Sequence, residues 1–414
     1  MKKYYFFVLI SANIYSQNVQ NNQSLDSIAD IVNLDEVTVN SLRAKDNSPV
    51  PFVNISKKDL ENTNLAQDLP TLLKNTPSVL TTSDSGSGIG YSSIRVRGSD
   101  QSRVNVTING VPYNDSESMS VYWVNLPDFA SSIESIQIQR GVGTSTNGSA
   151  AFGGSINIQT NAASDVALFE INNSLGSFNT VKNSVSFSTG FINDKFELSG
   201  RLSRIKSGGY IDRSGSKLRS YFLQGIYKDS NTLIKLLNFA GHEITDQAWF
   251  GIDSSTLESN RRYNPAGEYY DKNGNVLYYD NQDDNYKQDH YQLHWNQDYE
   301  NGWISNFGLH YTYGRGFFEN YNLAFDSNSS DNIDRRWLDN DFYGLIFSFN
   351  NSSDDYNAII GGSYNKYEGE HYGEYLWSGG SNQLSNFKER FYSDYGNKSE
   401  LNFFAKLDYY LSKN

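Results

Sequence analysis

The chain has 414 residues and no cysteine, with 34 Lys and Arg against 47 Asp and Glu for a formal net charge of -13; aromatic residues reach 14 % while all apolar residues together reach only 37 %. The missing cysteine excludes disulfides, thiolate metal sites and cysteine nucleophiles, and a mean hydropathy of -0.60 excludes a bundle of membrane-spanning helices, each needing about 20 consecutive apolar residues. The acidic balance, with no basic run to reverse it, speaks against a nucleic-acid partner.

Met1-Lys2-Lys3 followed by the short apolar run Tyr4 to Ile10 and the small residues up to Ser16 predicts a secretory signal peptide over 1–16. Residues 17–43 read as a flexible leader in which Leu34 to Val39 alternates like a short strand. Over 44–161 the pattern is that of a compact α+β domain. Ser56-Lys57-Lys58-Asp59 and Asn64-Leu65-Ala66-Gln67 both read as capping boxes, with Leu65, Leu69, Leu72 and Leu73 on one helical face. Pro70 limits that helix to short pieces. Glycine-punctuated strands follow: Ile94 to Gly98, Val104 to Gly110, Ile133 to Gly141 and Ser155 to Thr160.

From 162 to 414 apolar and small or polar residues alternate with period two, as in Val185-Phe187-Thr189-Phe191, Phe307-Leu309-Tyr311-Tyr313 and Tyr343-Leu345-Phe347-Phe349. About ten such segments of roughly 10–14 residues match the signature of membrane β-barrels. Short turns at Asn193-Asp194, Asp229 to Asn231, Glu300 to Gly302 and Ser352 to Asp355 alternate with longer links at about 208–216, 243–286, 314–340 and 367–396. That alternation puts turns on one side of a membrane and loops on the other.

Three stretches then fall together: Ile94-Arg95-Val96-Arg97-Gly98, Val106 through Asn109-Gly110-Val111-Pro112, and Ile133-Glu134 through Arg140-Gly141, running on to Gly153-Gly154. In this order and spacing they resemble the plug domain of TonB-dependent outer-membrane receptors, and Trp123 to Asp128 looks like the Bacteroidota branch. The implied fold class is an α+β plug followed by antiparallel transmembrane β-barrel strands, about ten of about 22. On that count the 414 residues are expected to be a fragment of a longer protein. Asp35-Glu36-Val37-Thr38-Val39 resembles the TonB box, which would add as a strand to a sheet edge of periplasmic TonB; the alternative is a plain first plug strand. The resemblance implies that Arg97 and Arg140 lock the plug to barrel glutamates, since a buried arginine needs a carboxylate; two solvated arginines are the alternative. Gly98, Gly110, Gly141, Gly153 and Gly154 serve left-handed turns or close backbone approach.

By the same resemblance the function is energy-coupled import of a scarce bulky nutrient, a ferric siderophore first, with haem or cobalamin next. A β-rich surface adhesin, a passive pore and a non-functional truncated fragment are the readings from other classes. Candidate cargo contacts are Tyr91, Tyr122 and Trp123 on the plug, with Trp249, Phe250 and Tyr263 in the longest loop. His290 and His294 share one strand face and are weak metal candidates; the acidic run Asp280, Asp283, Asp284 and Asp289 reads as a solvated loop. Gly141-Val142-Gly143 is followed by a strand, not by a helix that could hold phosphate, and no nucleophile or zinc-protease motif is present. No catalysis and no cofactor are implied; the partners are TonB, outer-membrane lipid and an iron chelate or similar cargo.

Overall fold

The computed structural model describes residues 43–44, 50–142, 151–299, 301–324, 330–379 and 388–410. The signal-peptide expectation over 1–16 and the TonB-box expectation at Asp35 to Val39 lie outside the described residues.

The plug begins with β1 (Phe52–Ser56) and α1 (Lys57–Glu61). The first capping box is present: the Asp59 N–H donates to the Ser56 hydroxyl at 3.3 Å and the Ser56 N–H to the Asp59 carboxylate at 3.0 Å. The second is not. Helix α2 (Leu69–Leu72) starts after Asp68, holds Pro70 in its first turn and is only four residues long. Asn64 instead donates its amide to Asp128 at 3.2 Å and Ser131 at 2.8 Å, so its side chain serves a distant contact and leaves the local backbone uncapped. Leu65 accordingly lies outside the helix and is 59 % exposed, whereas Leu69 and Leu73 are buried.

Strands β2 (Val79–Ser83) and β3 (Ser92–Val96) pair as a hairpin. The sheet of the plug joins β1 with β4 (Val104–Ile108), β5 (Val111–Pro112), β6 (Ile133–Arg140) and β7 (Gly154–Thr160), in the order β1-β6-β7-β4-β5. Between β4 and β5, Asn109 and Gly110 both take positive φ (53° and 84°), the two-residue turn that Asn-Gly favours. The core is aliphatic: Val104, Val106, Ile136, Ile138, Ile156 and Ile158 are fully buried, each contributing about 1.5–3 kcal/mol of apolar burial.

Ten strands follow in one antiparallel sheet: β8 (Ala167–Gly176), β9 (Thr180–Thr189), β10 (Phe196–Ser207), β11 (Ser216–Lys228) and β12 (Thr232–Asp246), then β15 (Asp283–Asp298), β16 (Trp303–Asn322), β17 (Asn332–Ser352), β18 (Tyr356–Ser378) and β19 (Glu389–Tyr409). Between β12 and β15, the long loop carries α3 (Ser254–Ser259) and the small hairpin of β13 (Glu268–Tyr270) with β14 (Val276–Tyr278). The order is sequential, with β8 and β19 as the two edges. Outward leucines such as Leu202 (67 % exposed) and Leu236 (58 %) alternate with buried inward Ser203, Gln224, Gln292 and His310. An apolar exterior over a polar interior is the inverse of a soluble domain and fits lipid outside.

The strand lengths correct the sequence reading. A tilted membrane crossing needs about 9–11 residues, yet β16 to β19 have 20, 21, 23 and 21. Most of the links expected at 314–340 and 367–396 are strand, leaving 323–331 and 379–388. These polar stretches hold no proline, and their rings pair across strands: Phe317 with Trp337 at 4.7 Å and Trp337 with Tyr372 at 5.8 Å. The acidic run is corrected too, because Asp283, Asp284 and Asp289 sit on β15.

The plug packs on the inner face of this sheet. Phe129 meets Phe239 of β12 at 5.1 Å and Phe222 of β11 at 6.3 Å, extending the plug core into the wall. Gly241 of β12 lies against the Asn125 carbonyl, where a Cβ would collide.

Candidate functional site

Two constellations join the plug to the wall. The lower one centres on Asp128, which follows Pro127 in left-handed backbone (φ 54°) and has a fully buried side chain. Lys182 of β9 approaches one carboxylate oxygen at 2.5 Å and Arg201 of β10 the other at 3.1 Å. Ser131 donates to the same carboxylate at 2.6 Å, and Arg201 also donates to Ser132 and Ser220. Burial pushes the Asp128 carboxyl up, but Arg201 and Lys182 outweigh it and hold the group at about 2. Among the described residues neither Arg97 nor Arg140 pairs with a carboxylate; Arg97 is exposed in left-handed backbone (φ 51°), and the Arg140 Nε is buried without a hydrogen bond. The tie at Asp128 sets one plug anion between two barrel cations. Nothing local in the sequence marks it.

The upper constellation is a cavity of about 530 Å³ between the plug, the loop that follows β12 and the upper ends of β15 to β19. Its walls are aromatic, with Tyr91, Tyr113, Tyr122, Trp249, Tyr286 and Phe318; Asp115, Glu117, Arg336 and His371 supply polar groups. Tyr91 is central. Its ring stands edge-on to Trp249 at 5.2 Å and Tyr122 at 6.5 Å, and its hydroxyl donates to Asp284 of β15 at 2.5 Å, with Glu243 of β12 at 3.4 Å. Burial, followed by the Glu243 and Asp284 charges, pushes the Tyr91 phenol well up, so it remains a donor. Burial likewise raises Tyr113. His371 and Glu117 meet at 2.6 Å, bridging β18 to the plug.

Of the expected cargo contacts, Tyr91, Tyr122 and Trp249 line this cavity. Phe250 stacks on Trp249 at 6.2 Å behind the lining. Trp123 is a correction: the 3₁₀ turn Trp123–Asn125 rotates it away from Tyr122 into the core, where it is 1 % exposed. Tyr263 bonds Glu268 within its own loop and lies outside the lining. Sequence reasoning missed Tyr113, Tyr286, Phe318, Arg336 and His371. Only the alternation running on through 314–340 and 367–396 could have pointed to the last three.

His290 and His294 face inward and are buried, but their partners are structural. His290 Nδ1 shares a hydrogen bond with Thr312 at 2.9 Å and stacks on Phe239 at 4.6 Å; His294 Nε2 shares one with Gln292 at 3.1 Å. Among the described residues no three His, Cys, Asp or Glu side chains gather to hold a metal.

Residues 44–155 match the family model described as TonB-dependent Receptor Plug Domain. They form a TonB-dependent receptor plug. With the ten strands behind it, the chain has the plug-and-barrel fold of the solved receptors named below. A vitamin B12 transporter of Vibrio vulnificus (strain YJ016) is 30 % identical over 199 residues, 48 % of this chain and 30 % of the transporter. Among solved structures, the copper transporter OprC has a TM-score of 0.68 at 16 % identity, covering 90 % of this chain and 55 % of that one. The unliganded ferric citrate transporter FecA has 0.67 at 14 %, covering 87 % and 54 %. P. aeruginosa FpvA bound to a ferric pyoverdine has 0.66 at 10 %, covering 89 % and 50 %. The chain thus spans about half the length of these solved relatives.

Proposed function

We propose that this chain belongs to a receptor that imports a scarce, bulky nutrient across the outer membrane, a ferric siderophore being the first choice. The observation that carries the reading is the aromatic cavity of about 530 Å³ between the plug and the wall, a volume within the range of pockets for small organic ligands. Its rings suit a flat chelate, while Arg336 and the His371–Glu117 pair offer polar contacts for its rim. Transport requires the plug to leave its seat, so work delivered at the leader must reach the contacts at Asp128 and Tyr91. We assign that delivery to Asp35 to Val39, pairing as a strand with TonB, downstream of a signal peptide at 1–16. Cobalamin is the second reading, favoured by the 30 % identity to a vitamin B12 transporter.

The test is a titration of the purified chain with a panel of ferric siderophores, haem and cyanocobalamin, following the fluorescence of Trp249 and Trp337 at the cavity. Saturable quenching by a siderophore, abolished by Trp249→Ala with the fold intact, supports the first choice, whereas saturation by cyanocobalamin alone moves the assignment to the second. Deleting 35–39 should abolish uptake yet leave surface binding; unchanged uptake would indicate a passive pore.

A further inference from the structure

The exterior of the barrel wall carries a block of charge that the cavity and the plug contacts do not use. On β10 and β11, Arg204 stands directly opposite Arg219, and Lys206 directly opposite Lys217. All four are exposed, while the residues that alternate with them, Ser203, Ile205, Ser207 and Leu218, are buried on the other face. Facing residues across antiparallel strands have Cβ atoms about 5 Å apart, and same-face neighbours along a strand are about 7 Å apart. Four cations therefore occupy a two-by-two patch in which each faces a like charge, an arrangement that destabilises a sheet.

Other cations on this face are answered. The row through Arg204 and Arg219 continues across His242, Lys287 and Arg315. Lys287 has Asp289 at 2.6 Å and Arg315 has Asp339 at 3.3 Å. Among the described residues no ion pair reaches any member of the quartet; Asp246 and Asp283 act on Lys217 only electrostatically, and Asp246 accepts the Gly215 N–H at 2.9 Å. In a protein of net charge -13 this is a local exception and no part of a generally basic surface.

Its height on the wall says what would answer it. The next pair down is Leu202 and Tyr221, and below that come Leu223 and Leu198, all facing outward in the apolar band. Above the quartet lies the link 208–215, at the same end as the long loop 247–282. A lipid with its acyl chains on Leu202 and Leu223 would present its headgroup at the level of the quartet, and a phosphate offers the oxygens that two arginine forks and two ammonium groups need.

We propose that Arg204, Lys206, Lys217 and Arg219 form a docking site for the phosphate groups of outer-leaflet lipid. The proposal rests on the outer-membrane setting, and its test separates the two. The full chain is reconstituted into phosphatidylcholine nanodiscs containing either bisphosphorylated lipid A or lipid A stripped of its phosphates, and retained lipid is measured by mass spectrometry. Insertion with selective retention of the phosphorylated form is expected. Arg204→Gln with Arg219→Gln should lower that retention by about thirty-fold, from the usual contribution of each basic residue at an anionic membrane surface. Arg204→Lys with Arg219→Lys should keep most of it. Lys287→Gln with Arg315→Gln, which removes cations already paired, should change it little. Equal retention of both lipids by the wild-type chain, an unchanged value in the glutamine variant, or an equal loss in the Lys287 and Arg315 variant overturns the assignment while leaving the membrane setting intact.

Discussion

Replacing Asp128 by alanine removes the one carboxylate among the described residues that answers Lys182 and Arg201, whose side chains are both 3 % exposed. An ion pair broken from one side in a buried setting costs about 3–5 kcal/mol, because the surviving charge cannot recover its hydration. Two cations are stranded here, although Arg201 keeps Ser132 and Ser220 and Lys182 keeps Asn64, so the lower part of that range applies. With a urea dependence of about 1–3 kcal/mol per molar, the plug of Asp128→Ala should become protease-sensitive at roughly 2 M less urea than the wild type. The assay is digestion of the detergent-solubilised chain across a urea series, with cleavage mapped to the plug or the strands. The triple variant Asp128→Leu, Lys182→Met, Arg201→Met replaces the network with apolar groups and should recover most of the loss. A single variant with an unchanged midpoint, or a triple variant as weak as the single, would refute the reasoning. Acid should act in the same direction. Because the folded carboxyl is depressed to about 2 from 3.8, its contribution of roughly 2 kcal/mol is present above 3.8 and is lost as the pH falls toward 2.

Tyr91→Phe removes the donor shared with Asp284 and Glu243 and leaves buried oxygens unsatisfied, so the same assay should show a loss of about 1–3 kcal/mol. Trp123→Ala should destabilise the plug by about 3–5 kcal/mol, as expected for a buried indole; Trp249→Ala should leave the urea midpoint unchanged and weaken cargo binding at least tenfold in the fluorescence titration. Gly241→Val should push the plug off β12, because a Cβ there meets the Asn125 carbonyl, and should be visible as accelerated plug cleavage without any denaturant.

The ten strands and the first capping box were legible because both are local: period-two alternation and a Ser-x-x-Asp run each encode their own geometry. Asn64 shows where locality ends. Its run has the form of a capping box, but the better partners for its amide are Asp128 and Ser131, more than sixty positions away. Asp128 was hidden for the same reason, its cations being 54 and 73 residues further on. Arg97 and Arg140 stood out as motif residues, yet a motif names the residue and leaves its partner to the fold. Trp123 and Tyr122 differ by one position and by a turn of 3₁₀ backbone, which sends one into the core and the other to the cavity. The upward reach of β16 to β19 was missed because charged and aromatic residues replace the aliphatic ones there, although the alternation itself continues.

That upward reach has a kinetic consequence. The far wall of the cavity, with Phe318, Arg336 and His371, is held in continuous hydrogen-bonded ladders. The freedom that a floppy loop would surrender at each capture is here lost once, when the sheet folds. Encounter on that side should therefore proceed without a slow ordering step, with association set by diffusion and field strength and varying little between cargoes. Selectivity among them would then be expressed in how long each one stays.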